Sequence, residues 1–157
     1  MDSSKREVTL RFLAEPADVN FGGKVHGGAV MKWIDQAGYA CAVGWSGQYC
    51  VTAYVGGIRF LKPILIGYLV EVTARVIYTG RTSMHIAVDV CAGDPRGDDH
   101  THTTHCVIIF VAVDTQGNPV VVPSWSSLTE EDRSQEQYAK QLMKLRKSIE
   151  EEMQQHL

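Results

Sequence analysis

The stretch Asn20-Phe-Gly-Gly-Lys-Val-His26-Gly27-Gly28-Ala-Val-Met-Lys32-Trp-Ile-Asp35-Gln-Ala-Gly-Tyr-Ala-Cys-Ala42 decides the fold. Its first residues have turn chemistry. The next residues read as a helix from about Gly27-Gly28 to Val43, ended by Gly44-Trp-Ser-Gly47. Apolar residues occupy nearly every side of that helix, so other elements must enclose it. One carboxylate, Asp35, interrupts the surface, and a carboxylate taken out of water needs a partner or a task.

The segments around the helix have the periodicity of strands. Val8, Leu10 and Phe12 alternate with Thr9 and Arg11 ahead of a loop that begins at Pro16 and Asp18. After the helix, residues 50–61 are β-rich up to Lys62-Pro63, residues 67–78 alternate, and Gly80-Arg81 turns the chain into another strand over 82–91. A polar loop at 93–99 leads to the last long strand, 103–113. Thr129 and Asp132 have capping-box-like spacing before a charged helix with Tyr138, Leu142, Leu145 and Ile149 on one stripe. The predicted order is strand, long helix, four strands in meander, surface helix. That is an α+β domain in which a curved antiparallel sheet wraps one helix, with Gly56-Gly57 allowing a bend or a close approach. The edges of such an open sheet invite pairing with a second copy.

A chain of 157 residues suits one domain, with the sheet and helix over about 7–115 and a helical extension over about 128–157. The formal charge of −3 gives no footprint for nucleic acid, so an anionic ligand would need a local cluster. Four cysteines, at 41, 50, 91 and 106, lie in apolar or strand-like runs without a C-x-x-C pair, which predicts reduced thiols and a cytoplasmic protein. The opening Met-Asp-Ser-Ser-Lys-Arg-Glu leads into no apolar leader segment, and no run reaches membrane-spanning length.

Four motifs in order carry a family resemblance. They are Asn20 ahead of Gly23-x-x-His26-Gly27-Gly28, Asp35 followed by Ala37-Gly38, Phe60-x-Lys62-Pro63 followed by Gly67, and Gly80-Arg81-Thr82-Ser83. On these the chain resembles the hotdog-fold acyl-CoA thioesterases, in the acyl-CoA hydrolase group that includes short bacterial YciA-type enzymes and brain-type acyl-CoA hydrolases. It departs from them at Tyr68, where an acidic residue is common, and at Gly56-Gly57. The resemblance implies hydrolysis of acyl-CoA to fatty acid and coenzyme A, and a homodimer assembled as a trimer of dimers whose active site spans two subunits. No metal or redox cofactor is called for, because a thioester is already activated toward acyl transfer.

Each candidate residue also has a plain structural reading. Asp35 can be a base or a nucleophile, the role implied by the resemblance, or a buried carboxylate satisfied by Lys32 or Gln36. Asn20 can orient water or the thioester, as the family implies, or simply hold a turn. Gly27 and Gly28 leave helix N-terminal amides open to an oxyanion, and equally permit a tight turn. His26 is a candidate for positioning substrate beside them. Gly80, Arg81, Thr82 and Ser83 suit phosphate oxygens, and the resemblance assigns them to coenzyme A; Lys62 is a second phosphate candidate. Simple alternation puts His100 and His102 on one side of the strand and His105 on the other, with no well-spaced carboxylate nearby, so these histidines read as a polar strand end and no metal site.

Two rival functions stand beside hydrolysis. One is a non-catalytic acyl-CoA-binding or sensing protein, which an Asn20 and Asp35 pair argues against. The other is a hydratase or dehydratase of the same fold, for which His26 would supply the acid–base group.

Overall fold

The computed structural model describes residues 5–157. The expectation that the chain opens without a leader falls in part on residues 1–4, outside the described residues. The elements are β1 (Glu7–Leu13), α1 (Gly27–Ser46), β2 (Tyr49–Val55), β3 (Arg59–Phe60), β4 (Leu69–Thr79), β5 (Ser83–Gly93), β6 (Thr101–Val113) and α2 (Glu130–Gln154). A short 3-10 turn, Pro16–Asp18, lies between β1 and α1.

One antiparallel sheet runs β1-β4-β5-β6-β2, with β3 also paired to β6. The meander expected from the sequence is therefore confined to β4, β5 and β6. The segment predicted as a single strand over 50–61 does not lie beside β4. It crosses to the far edge, and Gly56-Gly57 divides it into β2 and β3. Gly56 keeps its amide bond to the Val107 carbonyl at 2.9 Å, and a Cβ there would stand only 2.9 Å from that oxygen. Glycine lets the edge approach β6 at this point.

α1 lies across the inner face. Val30, Trp33, Ile34, Ala37, Gly38, Cys41, Ala42 and Trp45 are buried at three- and four-residue intervals, the stripe a helix presents to a sheet. Each large side chain of that stripe contributes roughly 1.5–3 kcal/mol by leaving water. Trp33 meets Phe12 of β1 edge-on, with ring centroids 4.9 Å apart. The helix runs one turn beyond its expected end because Trp45 is buried and donates its Nε1–H to the Pro123 carbonyl at 2.9 Å. Gly47 then stops it in the left-handed region (φ 69°), donating its amide to the Val43 carbonyl.

α2 covers part of the outer face, where Ala139 and Leu142 pack on Ile77, Ala87 and Val107. The predicted cap is present in altered form. The Thr129 hydroxyl accepts from the Asp132 amide at 3.1 Å, while Asp132 reaches back to the Leu128 amide at 3.3 Å. Leu145 and Ile149 of the predicted stripe stay exposed, along a groove shared with Tyr54, His85 and Ile109 of the sheet. Among the described residues, no helix is long and apolar enough to cross a membrane.

Candidate active site

The N-terminus of α1 opens into a cleft of about 320 Å³ whose walls include Asn20, Lys24, Gly27, Phe60, Lys62 and Thr104. Three sequence candidates, Asn20, Gly27 and Lys62, thus meet in one place. The chain reaches it through a tight turn in which the Asn20 side-chain oxygen accepts from the amides of Gly22 (2.9 Å) and Lys24 (3.2 Å), with Gly23 at φ 77°. In the protomer Asn20 therefore does hold a turn, and its exposed side chain remains at the cleft.

His26 is the helix N-cap residue. Its amide donates to the Asp18 carbonyl at 2.8 Å, and its own carbonyl accepts from Ala29 and Val30. Those are the first donors of the helical ladder, so the amides of Gly27 and Gly28 come before any intrahelical acceptor. Gly28 has open space where a Cβ would be, and at Gly27 a Cβ would touch the Phe60 ring at 3.4 Å. Neither glycine adds a side chain of its own in front of these amides, and the positive end of the helix lies there.

Asp35 corrects the sequence reading. It lies on the exposed side of α1 in the protomer, not within the apolar stripe. Its partner is neither Lys32 nor Gln36 but Thr52 of β2, which donates its hydroxyl to Asp35 Oδ1 at 2.8 Å. Thr52 was missed because a threonine in a strand is ordinary, and only the fold reveals which helix residue it faces.

Residues 80–83 form the corner between β4 and β5. The Gly80 amide donates to the Ser83 carbonyl at 3.0 Å, the Arg81 carbonyl accepts from Val122, and the Thr82 carbonyl accepts from Ala112. Arg81 is exposed. Ser83 pairs with Val111 and Val90 with Thr104 of the cleft wall, so the corner stands about 23 Å along the sheet from the cleft at 3.3 Å per residue. A single protomer separates the two groups of candidates.

The histidine run also differs from its sequence reading. A β-bulge shifts the register between Val90 and Cys91, so that Val90 pairs with Thr104 while Cys91 pairs with His102. His102 and His105 consequently share the outer face, and Asp89 of β5 supplies the carboxylate that the run itself lacks. All four cysteines are free. Burial pushes the Cys41 thiol up to about 12 and the Cys106 thiol up to about 11, so both are poor nucleophiles.

An antiparallel sheet wrapped around a long helix, with a glycine turn at the helix start and a carboxylate about two turns along it, defines a hotdog domain of the thioester-cleaving kind. The chain belongs to the thioesterase superfamily: that family's model matches residues 22–97, and YciA-type relatives extend the match. It is 36% identical over 128 residues to the acyl-CoA thioester hydrolase YciA of Salmonella typhimurium, covering 78% of this chain and 96% of that protein. The acyl-CoA hydrolase of Staphylococcus aureus, solved with butyryl coenzyme A and coenzyme A, superposes with a TM-score of 0.89 at 28% identity, over 98% of this chain and 94% of its own. The hexameric thioesterase of Yersinia pestis is 37% identical with a TM-score of 0.69, over 74% of this chain and 94% of its own. Variants of the Staphylococcus enzyme were solved at an Asn, an Asp and a Thr separated by 15 and 17 residues. Asn20, Asp35 and Thr52 of this chain have those same residue types and intervals.

Proposed function

We propose that this protein hydrolyses acyl-CoA to a free carboxylic acid and coenzyme A, in a site built from two subunits. The observation that carries the reading is the hydrogen bond from Thr52 to Asp35, which fixes one carboxylate oxygen and leaves the other to take a proton from water. The matching Asn, Asp and Thr intervals of the Staphylococcus enzyme support the same three residues here. The hydroxide so formed adds to the thioester carbon, and the oxyanion is held by the Gly27 and Gly28 amides. Collapse breaks the C–S bond and the proton passes to the departing thiolate. Asn20 orients the reactants at the cleft, with His26 beside them. The thioester supplies its own activation, and the steps need no cofactor.

Helix geometry supports a shared site. Gly28 and Asp35 stand about 10 Å apart along one rigid axis, at 1.5 Å per residue. A base and an oxyanion donor acting on one carbonyl must both be within hydrogen-bond reach of it. The glycines of one subunit therefore work with Asp35 of the partner subunit. β2 is an edge strand bearing exposed Tyr49, Val51 and Val55, and Thr52 ties Asp35 to that edge. Pairing two copies along β2 covers these residues and brings each Asp35 to the other's glycine turn. The corner at 80–83 and Lys62 are then the phosphate contacts of coenzyme A. Hexameric relatives support a trimer of such dimers, and the free thiols suit the cytoplasm.

The test is thiol release from a panel of acyl-CoAs of different chain length, for the wild type and Asp35→Asn. Wild type should release thiol and the variant should not. Wild type inert toward every chain length, or a variant as fast as wild type, would overturn the reading.

A further inference from the structure

On the outer face of the sheet, away from α1, three side chains converge. His102 Nε2 and His105 Nδ1 each lie 2.8 Å from Asp89 Oδ1, and the three donor atoms are all within 4.8 Å of one another. Residues three apart on a regular strand point to opposite faces. Only the extra residue of the β6 bulge brings His102 round to the side of His105.

We propose that Asp89, His102 and His105 form a binding site for one divalent transition-metal ion of the zinc type. Two imidazole nitrogens and one carboxylate oxygen suit Zn²⁺, Co²⁺ or Ni²⁺, whereas Mg²⁺ and Ca²⁺ prefer sites made of oxygen. Three protein ligands leave a fourth position for water. Ligand atoms at tetrahedral zinc distances stand about 3.3 Å apart, so the present 2.8 Å spacings need widen by only about half an ångström, within reach of small side-chain rotations.

Tyr138 of α2 is the second support. Its hydroxyl lies 2.8 Å from Nε2 of His105. Without metal, His105 must donate from Nδ1 to Asp89, and Tyr138 donates to Nε2. With metal on Nδ1, the proton moves to Nε2 and His105 donates to the Tyr138 oxygen. The bond survives with its direction reversed, and the tyrosine becomes the outer partner that fixes tautomer and ring orientation at metal-bound histidines. The ion would thus fasten α2 to the sheet instead of taking part in thioester chemistry.

The experiment is calorimetric titration of Zn²⁺ into the chelator-treated full-length protein, with thermal melts and the visible spectrum of the Co²⁺ form. One ion per chain should bind and raise Tm. Asp89→Asn and His102→Gln, both outward-facing changes checked for folding by circular dichroism, should each weaken binding about 10-fold or more, and Tyr138→Phe should weaken it less. His100→Gln should leave it unchanged. Absence of stoichiometric binding overturns the proposal. So does equal binding by folded Asp89→Asn and His102→Gln, or loss of binding with His100→Gln alone.

Discussion

Nη1 of Arg6 lies 2.8 Å from Oδ1 of Asp132, with the two side chains only 13% and 10% exposed. The same guanidinium donates from Nε to the Val76 carbonyl at 2.9 Å and lies 4.0 Å from the Trp125 ring centroid. One residue thus joins the start of the chain, β4, the segment after β6 and the first turn of α2. Arg6→Met removes the ionic partner of Asp132 and leaves its carboxylate only the Leu128 amide, at a cost of about 1–3 kcal/mol. In urea denaturation the double variant Arg6→Met/Asp132→Asn should lose less than the two single changes added together.

Thr52 is expected to matter for rate more than for stability. Thr52→Val removes the hydroxyl that holds Asp35 and keeps the β-branched shape. Misplacing a catalytic base costs up to about 100-fold, so kcat should fall about 10-fold or more, whereas this exposed hydrogen bond adds little to folding and Tm should hardly move. Thr52→Ser should recover most of the loss. Steady-state kinetics on one acyl-CoA check both outcomes, and an unchanged kcat for the valine variant removes Thr52 from the mechanism.

His85 is buried on the outer face, edge-on to Tyr78 with ring centroids 5.0 Å apart. Burial, aided by the charge of Arg146, pushes its pKa down from 6.5 to about 4. The unfolded chain therefore takes up a proton before the folded one does. The stabilisation is complete above about pH 6.5 and is lost as pH falls toward 4, with a total of roughly 3 kcal/mol at stake. Denaturation at pH 5 and pH 7 should give a steeper decline for wild type than for His85→Leu.

Gly38 faces the fully buried Phe110, and a Cβ there would stand 2.8 Å from the ring. Overpacking costs about 1–3 kcal/mol and outweighs the gain of about 1 kcal/mol in helix propensity, so Gly38→Ala should lower Tm. Gly44, in the same helix, has open space at its Cβ position. Gly44→Ala should raise Tm, and the pair of melts separates packing from propensity.

The sequence made α1, β1, β4, β5 and the body of β6 legible because burial on one face imposes a period of 3.6 or 2 that needs no knowledge of neighbours. Which strands pair is a different kind of information. Nothing in residues 50–61 says that they cross to β6, since strand partners are chosen by contacts far apart in sequence. The helix appeared apolar all round because Met31 and Tyr39 resemble core residues, although in the protomer they lie on the exposed face beside Asp35. Asn20, Gly27 and Lys62 were legible one by one, Lys62 only as a phosphate candidate beside residues 80–83, and the fold alone brings the three to one cleft. Thr52 and the convergence of His102 and His105 were not, because one depends on a tertiary facing and the other on a single-residue bulge that reverses the inside–outside count.

The stiffness of α1 has a further consequence. In the proposed two-subunit site, one rod holds the amide-bearing glycines and the carboxylate too far apart to serve one carbonyl, which would make a lone copy only a pair of half-sites. Turnover would then report assembly as well as chemistry. A copy that folds well but never pairs would be as inert as one without its carboxylate, and two copies broken at opposite ends of the helix could restore one working centre when they join.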